Sequence, residues 1–547
     1  MKKLIIVLML FISMTLTSCV KKTLKDDIYI FFTSDIHCGV EENLGLSAVK
    51  AVVNDEKANH KYVTLVDIGD YLQGGAIGSL SNGKLIIDLM NDMEYDVATV
   101  GNHEFDYGME TLKERLNEAS FDVVVSNIKY SGTKENVFEN TKPYVIKDYD
   151  GIKVAFVGIV TPYSITDSTP KNFMEGDQFV YNFYSGENGT ELFNRVQEVV
   201  DEARKSGADY VVALSHLGST ADCSPFDSIS MIANTNGIDA VLDGHSHSII
   251  VEDKYPNKDG KDVVLSSVGT KLQALGELII GKDGSITTLH ITEYNKKEEG
   301  IVLNLLAANK IIDDMLDIKL CDLDFDLNIT DSEGIRIARS RECTVGNFVA
   351  DAIRDYLQTD VAIVNGGGCR SGIKAGEITL RDLFNVNPFQ NNTGSCYATG
   401  QQILDALEHS SRNTEGIYKL DGNAVGEEGG FLQVSGLKYT IDTSIESSVI
   451  KDENNMFVGF SNDNRRVKDV YVLQDGEYVP IDPEKTYTVA SISYVLFGGG
   501  DGNNVFQNCE KIVDNGLVDV EVLKEYVEKC GGFLDIYRQT EGRITVK

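Results

Sequence analysis

From about residue 28 onwards, the chain alternates short apolar runs with segments whose apolar positions recur at helical spacing. Strands buried on both faces read as nearly continuous apolar runs, because they carry no solvent-facing side. The pattern predicts strands at Ile28–Thr33, Tyr62–Val66, Val97–Val100, Val123–Val125, Lys153–Val160, Tyr210–Leu214, Ala240–Leu242 and Val263–Ser266. Helices are predicted between them, for instance at Leu85–Met93, Met109–Ala119 and Leu192–Ser206. The alternation predicts a layered α/β domain over residues 26–297.

A helix is predicted to connect this domain to a second one. Gly300–Leu320 carries apolar side chains at helical spacing, with charged runs on either side at 296–299 and 322–326. We expect its apolar face to hold Leu303, Leu306, Ile311, Met315 and Ile318. The connector would span residues 298–326. A smaller α/β domain would follow over 327–547, with strands at Val361–Val364, Leu437–Ile441 and Tyr487–Ala490.

The first 19 residues form a separate segment. Two lysines precede the apolar stretch Leu4–Leu16, which is too short to span a bilayer comfortably. The segment ends in Leu16-Thr17-Ser18-Cys19, which resembles the lipobox of bacterial lipoproteins. That resemblance implies cleavage before Cys19 and a lipid on it; the alternative is a plain secretory signal. We therefore expect an extracytoplasmic protein, lipid-anchored to the membrane surface and otherwise soluble, as a monomer or weak dimer.

Composition narrows the classes of partner. The 547 residues include 50 Lys and Arg against 84 Asp and Glu, for a net charge of −34 at pH 7. Such a surface repels nucleic-acid polymers and anionic membrane faces, so neither is expected as a general partner. It also repels nucleotides and phosphate unless a local positive centre overrides the field. The length favours two or three domains.

Potential metal ligands follow the predicted strands at the points where α/β sheets place their ligand sites. Five of the eight histidines fall in these loops. Mixed Asp, Asn and His ligands suit zinc, manganese, iron or cobalt better than calcium. The segments are Ser34-Asp35-Ile36-His37, Asp67-Ile68-Gly69-Asp70, Gly101-Asn102-His103-Glu104-Phe105-Asp106, Ser215-His216 and Gly244-His245-Ser246-His247.

In this order, the five segments resemble the motifs of the calcineurin-like metallophosphatases. The resemblance implies an α/β/β/α layered fold and two divalent metal ions (Zn, Mn, Co or Fe), whose identity the sequence leaves open. The implied ligands are Asp35, His37 and His247 for one ion and Asn102, His216 and His245 for the other, with Asp70 bridging them.

The implied metal site explains how a strongly acidic protein could bind phosphoryl groups and act on them. Two divalent ions about 3.5–4 Å apart clamp a phosphoryl group and lower the pKa of the attacking water. They are also the positive centre that the net charge requires. His103 matches the family's transition-state histidine, with Asp106 fixing its tautomer and favouring its charged form. Asn127, after the fourth strand, is a candidate for a contact behind the ligands.

Three segments of the second domain resemble the 5′-nucleotidase family: Arg339-Ser340-Arg341-Glu342-Cys343-Thr344-Val345-Gly346-Asn347-Phe348, Asn365-Gly366-Gly367-Gly368-Cys369-Arg370 and Gly498-Gly499-Gly500-Asp501-Gly502. The resemblance implies that Arg339 and Arg370 bind the substrate phosphate, for which guanidinium forks are suited. Arg341 lies two residues from Arg339, and which of the two reaches phosphate stays open. Glycines such as Gly367 allow close approach of the main chain.

The same resemblance implies a nucleoside site. Asn365 would contact the nucleoside, Asp501 would bind the ribose, and Phe389 would form one side of an aromatic clamp on the base. The second ring is assigned to Tyr494, with Phe497 as the alternative, because Val495 occupies the position where many members carry an aromatic residue.

The sequence thus predicts a metal-dependent enzyme that hydrolyses nucleotides to nucleoside and phosphate. Alternatives within the class are a 2′,3′-cyclic-nucleotide phosphodiesterase with 3′-nucleotidase activity, a UDP-sugar hydrolase and, more distantly, a sulfur-ester hydrolase. An alternative of another class is a lipoprotein that binds nucleotides or metal without turning them over. With metals on one domain and phosphate ligands on the other, turnover would need the domains to approach and separate.

Overall fold

The fold was analysed in a computed structural model of the chain. The structure describes residues 24–176, 178–415, 419–420, 423–424, 427–513 and 516–547. The predicted leader and Cys19 lie outside these residues. Each of the eight strands predicted in the first half overlaps an observed strand, and the predicted two-domain α/β architecture is confirmed.

The first domain is built on two six-stranded sheets. In each sheet four neighbouring strands are parallel, and antiparallel strands complete it at the edges. In sheet order the strands of the first are Ile286–Ile291, Leu275–Ile280, Ile28–Thr33, Tyr62–Asp67, Val97–Ala98 and Asp122–Val123. Those of the second are Ile249–Pro256, Asp262–Val268, Ala240–Asp243, Tyr210–His216, Ile152–Val160 and Tyr144–Tyr149.

The sheets pack face to face, with helices on both outer sides. Alternate residues such as Ile30, Phe32 and Phe156 fill the space between the sheets. The first sheet is covered by Leu46–Asn59, Lys84–Met93 and Gly108–Glu118, and the second by Thr190–Lys205 and Ser228–Asn234. Because the parallel strands run the same way, their carboxyl ends open at one edge, and the ligand-bearing loops meet there.

The connector helix spans Glu299–Leu316 and belongs to both domain cores. Ile301, Leu305 and Ala308 pack into the first domain, and Ile312 and Leu316 into the second. The apolar face predicted for this helix is not the face that packs, because Leu303, Leu306, Ile311 and Met315 are about half exposed or more, and Ile318, also half exposed, lies beyond the end of the helix. The sequence offers two apolar stripes around this helix, and the stripe that reaches both cores at once is the one that is buried.

The second domain has a five-stranded mixed sheet and a four-stranded sheet. The first runs in the order Leu432–Ser435, Val361–Asn365, Thr486–Ile492, Thr393–Thr399 and Glu510–Val513. The second runs Glu477–Pro480, Val467–Gln474, Leu437–Ile441 and Ile544–Val546. The main helices are Thr344–Leu357, Leu380–Val386, Gly400–Ser410 and Asp519–Lys529. Within the described ranges, none of the helices combines the length and the apolar character that a membrane crossing requires.

Candidate active site

The first group of predicted ligands converges at the carboxyl ends of the first-domain strands. His37 and His247 bring their Nε2 atoms within 3.1 Å of each other, and Asp35 Oδ1 lies 3.5 Å from His247 Nε2. The ligand atoms of these three residues all lie within 4.8 Å of one another. This is the set implied for one ion.

The second group adjoins the first through Asp70. Its Oδ2 atom lies 3.1 Å from His216 Nε2 and 3.7 Å from His37 Nε2, so it faces both groups. His245 Nδ1 lies 2.8 Å from Asn102 Oδ1. The structure therefore brings all seven predicted ligands together, in the two groups that the resemblance implied.

These residues fit a pair of divalent cations. His216 Nε2 is buried, and Asp70 Oδ2, the oxygen that faces both groups, lies 3.1 Å from it. Gly101 passes beside this atom, and a Cβ there would collide with Asp70 Oδ1 and His216 Nε2. Burial lowers the pKa of His37 and of His245 to about 3, so both imidazoles are neutral and offer lone pairs. Burial also acts to lower the pKa of His216, but the Asp70 carboxylate outweighs it and raises that pKa to about 10.

Main-chain strain marks the same residues. Asp35, His37, Asp70, His245 and His247 have φ values of 51°, 44°, 59°, 72° and 52°. Non-glycine residues seldom occupy this left-handed region, and each costs about 1–3 kcal/mol where it occurs. The strands hold these loops in conformations that direct the side chains to one point.

Glu104 ties two of the ligand loops together. Its buried carboxylate accepts hydrogen bonds from the main-chain N–H groups of Asp70, Tyr71 and Leu72 at 2.8–3.0 Å. It also accepts one from Gly101, at 2.5 Å. Glu104 therefore fixes the loop of Asp70 against the loop that carries Asn102. Glu104 was not among the predicted site residues, although it lies between His103 and Asp106.

His103 lies beside the ligand groups and is oriented from two sides. Asp106 Oδ2 accepts a 2.6 Å hydrogen bond from His103 Nδ1, and the His103 main-chain N–H donates to Asp70 Oδ1 at 2.8 Å. Burial acts to lower the pKa of His103, but the Asp106 and Asp70 carboxylates outweigh it and raise that pKa. With Nδ1 engaged, Nε2 is the atom left to donate a hydrogen bond to a substrate.

A cavity of about 610 Å³ opens over these groups and is closed on its other side by the second domain. Arg339 and Arg370 both line it. Burial and the repulsion of Arg339 lower the pKa of Arg370 to about 9. Guanidinium groups that repel one another favour an anion between them.

The predicted nucleoside ligands line the same cavity. Asn365 Nδ2 donates to Asp501 Oδ2 at 3.2 Å, with Gly367 beside them. The Phe389 ring centre lies 6.1 Å from the His103 ring and 5.7 Å from Arg370 Cζ. Tyr494 also lines the cavity.

Three other candidates lie outside the residues that line this cavity. Phe497 packs in the second-domain core, with its ring 4.4 Å from Lys511 Nζ. Arg341 directs its main-chain carbonyl to Gln433. Asn127 Nδ2 donates to the Val160 carbonyl, and Asn127 Oδ1 accepts from the Val160 main-chain N–H.

Comparison with known proteins agrees with both halves of this arrangement. Residues 28–248 match the calcineurin-like phosphoesterase family, and residues 328–508 match the 5′-nucleotidase C-terminal domain. The chain belongs to the 5′-nucleotidase family. It is a metallophosphoesterase of that family, with His and Asp clusters of the kind that hold a dinuclear metal site.

Relatives in this family resemble the chain over nearly its whole length. The trifunctional nucleotide phosphoesterase protein YfkN of Bacillus subtilis (strain 168) is 26% identical to this chain. The match covers 95% of this chain and 35% of that protein. The 5′-nucleotidase of Bos taurus is 26% identical, covering 95% of this chain and 90% of the relative. The crystal structure of a 5′-nucleotidase precursor from Thermus thermophilus superposes with a TM-score of 0.77 at 25% identity, covering 95% of this chain and 99% of that one.

In this 5′-nucleotidase-family protein, several cavity residues were missed by sequence reasoning. Arg336 lies three residues before Arg339, and this closeness in sequence could have identified it as a further candidate. Its Nε donates to Glu427 at 2.8 Å. Asn391, Arg412 and Lys451 also line the cavity. They come from separate segments, and only the tertiary structure brings them together.

Proposed function

We propose that this protein hydrolyses nucleoside 5′-phosphate esters to nucleoside and phosphate outside the cytoplasm. The observation that carries the proposal is a single cavity lined by metal-ligand residues of one domain and by guanidinium, aromatic and carboxylate groups of the other. The names of the relatives support the substrate class. The lipobox-like segment ending at Cys19 supports export and a lipid anchor.

The residues divide the work between phosphate and nucleoside. Asp35, His37 and His247 would hold one divalent ion and Asn102, His216 and His245 the other, with Asp70 facing both groups, and the ions would supply positive charge to the phosphoryl oxygens and lower the pKa of the attacking water. Arg339 and Arg370 bind the phosphate oxygens from the other side. His103, held by Asp106 at Nδ1, donates from Nε2 to an oxygen that gains charge as the ester bond breaks.

The nucleoside is held on the second-domain wall. Phe389 offers the face of its ring to the base, with Tyr494 as the second aromatic residue. The Asp501 carboxylate accepts hydrogen bonds from ribose hydroxyls, and Asn365 keeps Asp501 in place. A simple phosphate ester would reach the metal groups and the arginines but would leave the nucleoside contacts of the second-domain wall unused.

The test is hydrolysis of a panel of esters after chelation and addition of manganese, zinc, cobalt or magnesium. Phosphate release is measured for the monoesters and ATP, and product chromatography is used for 2′,3′-cyclic AMP and UDP-glucose, whose first products retain the phosphate. The panel holds AMP, UMP, ATP, 3′-AMP, 2′,3′-cyclic AMP, UDP-glucose and p-nitrophenyl phosphate. We expect kcat/KM for AMP to exceed that for p-nitrophenyl phosphate by at least about tenfold, as one additional set of base contacts provides. Chelation should abolish the activity, and Arg370→Ala should lower it.

Other outcomes distinguish the remaining possibilities. Preference for the cyclic ester, 3′-AMP or UDP-glucose would assign the same site to those esters instead. Equal rates with all esters would mean that the second domain does not recognise nucleosides. Binding of AMP without turnover, with every metal tested, would contradict an enzymatic role.

A further inference from the structure

The loop that carries Asp501 has an unusual main-chain conformation. Asp501 has a φ of 55°, in the left-handed region that non-glycine residues seldom occupy. Its main-chain N–H donates to the Tyr494 hydroxyl at 3.1 Å, and its Oδ2 atom accepts from Asn365 Nδ2 at 3.2 Å. Such a conformation persists only where the surroundings hold it. The direction of the Asp501 carboxylate therefore depends on the contacts of the main chain on either side of it.

Arg412 holds the carbonyl side of Asp501. Its Nη2 atom donates to the Asp501 main-chain carbonyl at 3.2 Å and lies 2.7 Å from Glu428 Oε1, with which it forms an ion pair. Both side chains are largely buried, with 8% of the Arg412 side chain and 11% of the Glu428 side chain exposed. Because the guanidinium group makes the bond to Asp501, a substitution of Arg412 removes it.

Arg412 is itself fixed to the buried end of a helix. It follows the helix Gly400–Ser410 by two residues, and its Nη1 atom donates to the His409 carbonyl at 3.0 Å. The Arg412 carbonyl accepts a 2.9 Å hydrogen bond from Nη1 of Arg466, which is 3% exposed. All of these partners belong to the second domain. The hold on Asp501 therefore does not depend on contact with the first domain.

Glu428 extends the same arrangement to the other side of the Asp501 side chain. Its Oε2 atom accepts from Asn413 Nδ2 at 2.7 Å, and its Oε1 atom accepts from the Gly430 main-chain N–H at 3.3 Å. A Cβ on Gly430 would lie 2.6 Å from Asp501 Cβ, so the main chain at Gly430 passes directly beside Asp501. The ion pair of Arg412 and Glu428 thus contacts the main chain on both sides of the carboxylate.

The charge of Arg412 favours the form of Asp501 that accepts hydrogen bonds. Burial and the Glu428 carboxylate raise the pKa of Asp501 to about 6, and Arg412 acts in the opposite direction. An ionised carboxylate offers acceptors alone, which suits it to hydroxyl donors.

We propose that Arg412 is a positioning residue for ribose selectivity: its guanidinium group holds the Asp501 carbonyl and thereby directs the Asp501 carboxylate to the ribose hydroxyls. The inference rests on the proposed function, because that function assigns Asp501 to the ribose. It adds that the enzyme distinguishes a ribose from a sugar without hydroxyls, and that this distinction depends on Arg412 acting through Asp501.

The first test compares AMP with 2′,3′-dideoxy-AMP, which has the same base and 5′-phosphate but lacks both hydroxyls. In the wild type, kcat/KM for AMP should exceed that for the dideoxy ester by about tenfold or more, as hydrogen bonds to a charged group provide. Arg412→Gln should lower this ratio about fivefold, the factor that one ordinary hydrogen bond provides. An equal loss of kcat/KM with the two esters would mean that Arg412 is merely structural and would overturn its assigned role.

Three further variants accompany this measurement. Arg412→Lys keeps the charge beside Glu428 but not the planar fork, so its ratio should fall between those of the wild type and Arg412→Gln. Arg412→Gln together with Glu428→Gln removes both charges and serves where the single variant does not fold. Arg354→Gln is the matched control, because Arg354 Nε donates to the Asp360 carbonyl of the same domain, outside the residues that line the cavity. Its ratio should equal that of the wild type.

The second test is a double-mutant cycle with Asp501→Ala. If Arg412 acts through Asp501, adding Arg412→Gln to Asp501→Ala should change the ratio for the two esters no further. A further fall of the same size as in the wild-type background would mean that Arg412 acts independently of Asp501, which would overturn the proposal.

Failure of the proposed function can be told apart from failure of this inference. If the wild type does not prefer AMP over p-nitrophenyl phosphate, the proposed function fails and the role of Arg412 fails with it. If the wild type prefers AMP but hydrolyses the dideoxy ester equally well, or if Arg412→Gln keeps the wild-type ratio, the proposed function stands and only the role of Arg412 fails.

Discussion

The two walls of the cavity are built in different ways. On the first-domain wall, seven ligand residues follow the ends of buried strands, five of them with positive φ, and Glu104 fixes two of their loops through four main-chain N–H groups. On the second-domain wall, the lining residues come from segments between 336 and 501, and the Phe389 segment is held from both domains. The first wall is thus fixed by strand ends, and the second by contacts between distant segments.

The walls also differ in the sign of the charge that a bound group would have to bring to each of them. The first wall gathers carboxylates, together with the neutral imidazoles of His37 and His245, and a cation would satisfy these groups. The second gathers Arg336, Arg339 and Arg370, and burial together with repulsion from the other two guanidinium groups lowers the pKa of Arg370. A phosphate ester held with two divalent ions would supply both charges at once. Under the proposed function, the chemistry belongs to the first wall and the nucleoside recognition to the second, and substitutions on each wall should separate the two.

The largest effect is expected at His103. Replacing it with Ala should lower kcat about 10²–10⁴-fold, the usual contribution of a positioned acid or base. Because His103 belongs to the first wall, both AMP and p-nitrophenyl phosphate should lose kcat in steady-state assays, and AMP should lose more, since p-nitrophenolate leaves with less need of a hydrogen-bond donor. His60→Ala, a partly exposed residue outside the cavity lining, is the control. A raised KM for AMP with kcat unchanged would place His103 in recognition and contradict the division between the walls.

Glu104→Gln tests how the first wall is held. The amide keeps the size of the side chain but exchanges one acceptor oxygen for a donor that faces main-chain N–H groups. We expect metal affinity to fall about 10–100-fold, as for other residues that orient ligands. Competition with a chromophoric chelator measures this directly, and Glu110→Gln, exposed on the next helix, is the control. Unchanged metal affinity would show that Glu104 does not organise the ligand loops.

The two walls were unequally predictable from sequence. Ligands such as Asp35 and His216 directly follow or end strands with clear apolar patterns, so they formed recognisable local motifs. Their positive φ values were not predictable, since only the assembled loops impose them. Arg412 and Lys451 carried no local signal, because each lines the cavity only through segments that the fold brings close. The connector shows the same limit: its periodicity predicted a helix, but the choice between its two apolar stripes depended on where both cores lie.

A smaller effect on the first wall is a shift in pH dependence. The raised pKa of His103 depends on Asp106, so Asp106→Asn should lower that pKa. His103 would then lose its proton at lower pH, and the alkaline limb of the kcat profile should move to lower pH by about one unit. At pH values below the alkaline limbs of both the wild type and the variant, the variant should retain most of its kcat. A profile that keeps its alkaline limb in place would mean that this limb reports a group other than His103.

The smallest effect is expected on the second wall, at Tyr494. Its hydroxyl donates to the Thr166 carbonyl of the first domain at 3.0 Å and accepts from the Asp501 main-chain N–H at 3.1 Å. Tyr494→Phe keeps the ring and removes both bonds, so it should raise KM for AMP about two- to tenfold, the range for one or two ordinary hydrogen bonds. Tyr144→Phe, whose hydroxyl bonds Ser206 Oγ on the same domain and outside the cavity lining, is the matched control. If the phenylalanine variant lowers kcat for p-nitrophenyl phosphate as well, the hydroxyl is needed to hold the two walls together. Recognition and chemistry would then share this contact rather than belong to separate walls.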